Sequence, residues 1–237
     1  LIDAGADILM LPWFHSVSEV RKYAKIVNGR ARIHLLVETK GAKQNLLDCC
    51  KVDGIERVHI GLNDLSLELN RRFMFELLID GTVEEMVEDL RKVGMPFGIG
   101  GVARVGEGLL PAERILVEHA RLGSDAAILS RTFHRGAASP EEIEQTMDFV
   151  TEVSQLRDVY LSAKQLKYQE DRKNLAVIAV CRRQSKLGNA NQKDKCIEAV
   201  VRYYGGNSTF GAHTAYHVGG RSRDSGNRRQ SSFLQAK

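Results

Sequence analysis

The sequence predicts an α/β protein built on a TIM (β/α)₈ barrel that is incomplete at its N-terminus. Five short runs of apolar residues recur every 25 to 40 residues, and each is apolar on both faces, as buried parallel strands are. Helix start and stop signals separate these runs. The runs are residues 8–11, 33–37, 58–62, 97–100 and 126–129.

Capping boxes mark the starts of two of the intervening helices. Ser16 with Glu19 predicts a helix that continues to Val27, and Thr82 with Glu85 predicts another. A glycine follows the end of each apolar period, as is usual where a helix stops. Each of these strands is therefore followed by a helix.

Two further helices follow the last pair of runs. Pro111 opens a predicted helix over 112–122, and Gly123 closes it. Ser139, followed by proline and two glutamates, predicts a long final helix that continues toward Gln169. The pattern is repeated βα throughout.

Repeated βα units form either an open doubly wound sheet or a closed barrel. The glycine fingerprint that follows the first strand of a dinucleotide-binding sheet is missing, because Gly98-Ile-Gly-Gly101 lacks the third glycine and comes late in the chain. A barrel is therefore favoured. Eight units need about 250 residues, so we expect roughly three units to precede Leu1.

Composition excludes several classes of protein. The chain has 237 residues, of which 43% are hydrophobic, so it is not disordered throughout. Its longest apolar run has seven residues, against the roughly 20 that cross a bilayer. Four cysteines, two of them adjacent, do not make a disulfide framework. We expect a cytoplasmic protein without a membrane partner.

Charge divides the chain into two parts. Residues 1–170 carry 21 basic and 26 acidic side chains, whereas 171–237 carry 13 basic and 4 acidic ones. We therefore assign 1–175 to the C-terminal part of the barrel with its final long helix. Segment 176–237 is a basic tail, which we interpret either as disordered or as aberrant sequence that follows a sequencing or splicing error.

The basic tail raises two binding hypotheses. Basic and aromatic residues together can bind nucleic acid, but the tail has no groove-reading helix, so we expect weak, nonspecific binding at most. A zinc site is not favoured, because 14 residues separate the two cysteines. Its candidate ligands are Cys181, Cys196, His213 and His217.

Two acids follow predicted strands, where the active sites of barrels lie. Glu38 ends the second run, and Asp64 follows the third. On neighbouring strand ends they offer hard oxygen ligands to Mg²⁺ or Mn²⁺. The alternative is structural: Asp64 caps a turn or helix that starts at Leu65, and Glu38 pairs with Lys40 or Lys43.

Three segments resemble the HpcH/HpaI aldolase/citrate lyase family of class II, metal-dependent pyruvate aldolases, over residues 1 to about 135. They are 4–12, 36–40 with Asn45 after it, and 61–66. The resemblance implies a phosphoenolpyruvate/pyruvate type of TIM barrel. It also implies that Glu38 and Asp64 hold the divalent metal, and that the turn containing Gly61, Asn63 and Asp64 binds the substrate carboxylate.

The function implied by the resemblance is that of a metal-dependent carbon–carbon lyase, an aldolase acting on a 2-oxo acid through a pyruvate enolate. A CoA-ester lyase of the citrate or malyl-CoA lyase type is the alternative. The catalytic Arg and His of the family belong to strands that would precede Leu1, so the catalytic residues stay unknown. We expect this chain alone to be inactive and the intact protein to be a homo-oligomer.

The remaining strand-end residues suggest weaker hypotheses. Phosphate binding is possible after the last two runs, through Gly100, Gly101, Ser130 and Arg131. His34 and His59 lie within strands and are predicted to be packing residues, whereas His15 is a candidate to face the site. Three aromatic residues are predicted to line either a pocket or an oligomer contact: Trp13, Phe14 and Phe133.

Overall fold

Five parallel strands form a single sheet in the computed structural model, which describes residues 1–108 and 110–165. The predictions for the tail, 176–237, lie outside the described residues. The strands are β1 (Ile8–Leu11), β2 (Arg32–Val37), β3 (Ile55–Ile60), β4 (Phe97–Val102) and β5 (Ala126–Leu129).

The spatial order of the strands distinguishes between the two architectures that the sequence allows. The order is β1-β2-β3-β4-β5, so each strand pairs with its successor along the chain. A doubly wound sheet reverses its order at a switch point, whereas a barrel adds strands in sequence. The curled sheet is a half-barrel, and it confirms the prediction of an incomplete TIM barrel.

Helices connect these strands, and within residues 1–108 and 110–165 no helix is sufficiently long and apolar to cross a membrane. Short 3-10 helices lie at Ile2–Ala4 and Met74–Leu78. The α-helices are α1 (Val17–Val27), α2 (Lys40–Gln44), α3 (Leu46–Cys50), α4 (Leu62–Glu68), α5 (Thr82–Lys92), α6 (Ala112–Leu122), α7 (Pro140–Thr146) and α8 (Phe149–Gln165).

The helix starts confirm one of the two predicted capping boxes. Ser16 accepts a hydrogen bond from the Glu19 N–H, and the Glu19 side chain bonds back to the Ser16 amide. The prediction of a capping box at Thr82 is wrong. Gly81 takes the N-cap position with φ of 86° and no side-chain cap, and the Asp80 carboxylate instead accepts from the Thr82 N–H at 3.0 Å.

The prediction of one long final helix is also wrong. Ser139 caps α7 as expected, since its hydroxyl accepts from the Glu142 N–H. The backbone then becomes extended at Met147, with φ of −159° and ψ of 154°. Helix α8 begins after this break, at Phe149. The chain therefore forms two helices where the sequence predicts one.

The two faces of the sheet have different environments. Alternate strand residues, among them Leu35, Val58 and Ile99, are buried in one core with the apolar faces of the helices. The other face carries His34 and His59, whose facing ring nitrogens are 3.3 Å apart. This second face is the concave, inner face of the half-barrel. The candidate site lies at the carboxyl ends of its strands.

Candidate functional site

The carboxyl ends of β2 and β3 lie side by side. The Gly61 N–H donates to the carbonyl oxygen of Val37 at 2.9 Å, so the ladder continues to the last residue before Glu38. A Cβ added at Gly61 would lie 3.0 Å from the Glu38 Cβ and 3.1 Å from its Oε2. Glycine at this position therefore makes room for the Glu38 carboxylate.

Glu38 is a buried carboxylate with a backbone partner. The residue is 7% exposed, and its Oε1 accepts from the Trp13 N–H at 3.0 Å. Within residues 1–108 and 110–165 it makes no salt bridge, and Lys43 instead pairs with Glu85 at 2.7 Å. The alternative in which Glu38 serves to pair with Lys40 or Lys43 is therefore wrong.

Asp64 lies in the first turn of α4 and is partly buried. The helix begins at Leu62 rather than at Leu65, and its N-cap position, Gly61, offers no side chain, so the interpretation of Asp64 as a cap before Leu65 is wrong. Burial raises the pKa of Glu38, the Trp13 N–H opposes this rise, and the charge of Asp64 adds to it. The charge of Asp64 therefore acts on the Glu38 carboxylate.

A network around the loop after β1 fixes the position of Glu38. The Thr39 hydroxyl donates to the Phe14 carbonyl at 2.6 Å and accepts from the Ala42 N–H at 3.0 Å, which caps α2. The Asn45 amide group donates to the His15 carbonyl at 3.2 Å. The segment after Glu38 is therefore bound to the loop that presents the Trp13 amide.

The turn after β3 leads directly into α4. The first backbone hydrogen bond of the helix joins the Leu65 N–H to the Gly61 carbonyl. The N–H groups of Asn63 and Asp64 come before this bond, so they have no acceptor within the helix. The Ser66 hydroxyl donates to the Asn63 carbonyl at 2.6 Å and stabilises the turn. Binding of a substrate carboxylate at Gly61, Asn63 and Asp64 stays a prediction.

The structure places the predicted phosphate residues at the ends of β4 and β5. Gly100 lies within β4 opposite Ile128. Gly101 has φ of 93°, and a Cβ there would lie 2.5 Å from the Met74 Cε. The Ser130 N–H bonds to the Val102 carbonyl at 2.8 Å, and Arg131 is exposed. Phosphate binding stays a prediction.

The histidines predicted to pack do so. His59 is buried and His34 is partly buried, with ring centroids 5.3 Å apart. Burial, together with the neighbouring His34 and Arg57, lowers the pKa of His59 to about 4. A neutral ring is the form that this environment favours.

The residues around the first strand end differ in exposure. Phe14 is buried in the core, as is Phe133 near the last strand, so neither is free to line an open pocket or an oligomer contact. His15 is exposed on the loop after β1. Trp13 is 53% exposed and contacts the His15 ring edge-on, with centroids 6.2 Å apart.

Sequence reasoning missed the role of the Trp13 backbone. Its φ of 54° lies in the left-handed region, which directs its amide to Glu38. Bulky residues rarely adopt this conformation. The residue type at position 13 therefore gave no signal for it, although its place directly after a strand could have prompted inspection.

Two carboxylates at one edge fit a magnesium-type ion. No group of three or more His, Cys, Asp and Glu side chains that could hold a metal occurs in residues 1–108 and 110–165. Mg²⁺ commonly binds through one or two carboxylates and completes its shell with waters and substrate. Glu38 and Asp64 therefore fit a site of this kind, with the remaining positions open to a chelating ligand.

Comparison with known proteins gives a match in fold and none in sequence. No protein-family model matches the chain, and no curated protein matches it significantly. Many of the solved structures that match are HpcH/HpaI aldolase/citrate lyase family proteins, the family that the sequence motifs resemble. RipC from Yersinia pestis is 14% identical with a TM-score of 0.50, and the match covers 68% of this chain and 67% of that one.

Two other matches have lower scores. A HpcH/HpaI aldolase/citrate lyase family protein from Burkholderia cenocepacia J2315 is 12% identical with a TM-score of 0.46, over 61% of this chain and 66% of that one. The citrate lyase β subunit from M. tuberculosis, complexed with oxaloacetate and magnesium, is 16% identical with a TM-score of 0.42, over 68% and 63%. The chain spans about two thirds of the length of these structures, and likeness at such identities supports the fold alone.

Proposed function

We propose that this chain is part of a divalent-metal-dependent carbon–carbon lyase of the HpcH/HpaI aldolase/citrate lyase superfamily, and that it acts on a 2-oxo acid. The observation that carries the proposal is the placement of two acids at neighbouring strand ends: Glu38 follows β2 directly, and Asp64 lies in the first turn of the helix that follows β3. The half-barrel fold and the three sequence segments around these acids support the same assignment.

Glu38 and Asp64 are the residues that would hold the metal, Mg²⁺ or Mn²⁺. When bound, the metal would supply a Lewis acid that stabilises negative charge on the oxygen of a 2-oxo acid. The Trp13 N–H orients one oxygen of Glu38, leaving Oε2 on the side of Gly61. The N–H groups of Asn63 and Asp64, which have no acceptor within the helix, would donate hydrogen bonds to the substrate carboxylate.

Binding of pyruvate by the full chain tests this proposal. Titration calorimetry with pyruvate in the presence and absence of Mn²⁺ should show binding only when Mn²⁺ is present, because the carboxylates alone repel an anionic ligand. Acetyl-CoA represents the thioester class of substrate, and adding it in excess before a second pyruvate titration should leave pyruvate binding unchanged. Pyruvate binding that is equally strong without metal would contradict the proposal.

Variants that each remove one carboxylate charge show which residues the Mn²⁺-dependent binding of pyruvate requires. Glu38→Gln and Asp64→Asn should each abolish Mn²⁺-dependent pyruvate binding. Glu88→Gln on α5 and Asp53→Asn before β3 remove the same charges from exposed positions and should leave it unchanged. Competition by acetyl-CoA would instead favour the CoA-ester lyase alternative.

A further inference from the structure

Trp13 combines three properties that a structural role does not explain together. Its backbone is held in the left-handed region at φ of 54°, its N–H is committed to Glu38, and its side chain is 53% exposed. A large apolar side chain gains stability by burial. Here the indole stays exposed, while the backbone N–H of the same residue contacts the buried Glu38 carboxylate.

The loop on the C-terminal side of Trp13 is rigidly bound, so the exposure of the indole is a fixed feature of the fold. The carbonyl of Phe14 accepts from Thr39, and the carbonyl of His15 accepts from Asn45. A Cβ at Gly41 would lie 2.5 Å from the His15 carbonyl oxygen, which shows how closely α2 packs on the loop. Backbone strain that the surroundings hold in place is found mainly at ligand-binding and active sites.

The indole of Trp13 is accessible to a ligand. The residue is 53% exposed, and its ring makes a T-shaped contact with His15, at an interplanar angle of 84°, where His15 is itself exposed. An indole carries no charge, and its face attracts rings, C–H groups and cations. The anionic 2-oxo acid group would bind at the metal that Glu38 and Asp64 would hold, so the indole is suited to the uncharged remainder of the ligand.

We propose that the Trp13 indole is a substrate-contacting wall of the Glu38 and Asp64 site, and that it selects 2-oxo acids whose far end carries a ring. This inference rests on the proposed function, because the position of the 2-oxo acid group is set by the two carboxylates. Trp13 is then a specificity-determining residue, and its amide separately orients Glu38.

Two uncleavable 2-oxo acids test the inference in the full chain loaded with Mn²⁺. The first, 2-oxo-4-phenylbutyrate, carries a ring at its far end, and the second, 2-oxopentanoate, ends in a methyl group. Calorimetry should show the ring acid binding roughly three- to tenfold more tightly, as expected for one aromatic contact. Trp13 is the only tryptophan in the sequence, so the ring acid should also change the intrinsic tryptophan emission.

Variants at position 13 separate the indole from the backbone. Trp13→Asn removes the ring, keeps the N–H and places a residue that tolerates positive φ. It should bring the affinities for the two acids to within about twofold of each other, and Trp13→Phe should retain part of the preference for the ring acid. A preference that persists in Trp13→Asn, or an equal loss for both acids, would overturn the inference.

The same experiment distinguishes the two proposals. If the wild-type chain binds no Mn²⁺, the proposed function fails and this inference fails with it. If Mn²⁺ binds and Glu38→Gln abolishes binding, but Trp13→Asn leaves the preference between the two acids unaltered, only the inference fails.

Discussion

The strand ends of β2 and β3 use their polar groups differently from those of β4 and β5. At the first pair, Glu38 accepts from the Trp13 N–H and Asp64 accepts from the side-chain amide of Asn63, and neither acid forms a salt bridge within residues 1–108 and 110–165. At the second pair, Arg104 is buried and forms ion pairs with Glu107 at 3.4 Å and Glu152 at 3.6 Å.

The two regions differ in whether their charged groups are neutralised within the protein. Near β4 and β5 the polar groups fix helix α8 and the intervening loops, as the Arg104 ion pairs do. Near β2 and β3 the same kind of strand-end position keeps carboxylate charge that the protein itself does not neutralise. Similar sequence positions thus have different roles, and the contacts that each side chain makes distinguish them.

The largest effect is expected at His119, in the structural region. It lies on α6, and burial lowers its pKa to about 4, from an ordinary value of about 6.5. The unfolded chain therefore binds a proton at this ring near pH 6.5, whereas the folded chain binds it only near pH 4. The free energy of unfolding is fully maintained above pH 6.5 and falls by up to about 3 kcal/mol as the pH falls toward 4.

Urea unfolding between pH 7 and pH 4.5 checks this. His119→Leu should remove roughly half of the acid-dependent loss, because the leucine takes up no proton whereas His59, whose pKa is also lowered to about 4, still does. Ser124→Ala keeps the histidine and removes only the hydroxyl that lies 3.2 Å from its Nδ1, so it should keep the wild-type pH dependence. An equal acid-dependent loss in His119→Leu and wild type would show that the ring is not the responsible group.

The next effect concerns glycines at the two strand-end regions. An added Cβ at Gly41 meets the His15 carbonyl oxygen at 2.5 Å, whereas at Gly100 the nearest atom is 3.5 Å away. Gly41→Ala should therefore lower the free energy of unfolding by roughly 1–3 kcal/mol, and Gly100→Ala by less. Chemical denaturation of both variants measures this, and a greater loss for Gly100→Ala would reverse the comparison.

A smaller effect is expected at Thr39, which holds the loop of the candidate site. Thr39→Val removes the bond to the Phe14 carbonyl and the cap of α2, and should cost about 1–2 kcal/mol of stability. Thr132→Val, after β5, removes an exposed hydroxyl whose partner is the Ser130 hydroxyl, and should change stability by less than about 0.5 kcal/mol. Equal losses in thermal or urea unfolding would remove this distinction between the regions.

Much of the fold could be predicted from apolar periodicity and turn residues. The bounds of β1 and β5 agree with the predicted runs. β3 begins at Ile55, before the predicted start, because Glu56 and Arg57 interrupt the apolar run while the pairing with β2 resumes after a register shift at Glu56. The break at Met147 has no glycine or proline to mark it, so periodicity alone predicts one continuous helix.

The candidate site was predictable only in part. Strand-end placement and the family resemblance both selected Glu38 and Asp64, and the structure brings them to adjacent strand ends. The hydrogen bond from the Trp13 amide to Glu38 was not predictable, because a bulky residue type gives no sign that its backbone adopts the left-handed conformation. The stability of the loop that holds it depends on tertiary contacts from Thr39 and Asn45, which sequence patterns do not encode.

Titration of the full chain with Mn²⁺, followed by electron paramagnetic resonance, tests whether Glu38 and Asp64 form the metal site. We expect one bound ion per chain, with an affinity that falls at least about tenfold in Glu38→Gln and in Asp64→Asn. Glu88→Gln and Asp53→Asn, which remove exposed charges elsewhere, should bind as the wild type does. Unaltered Mn²⁺ affinity in the first two variants, or an equal loss in all four, would contradict the assignment of this strand-end pair as the metal site.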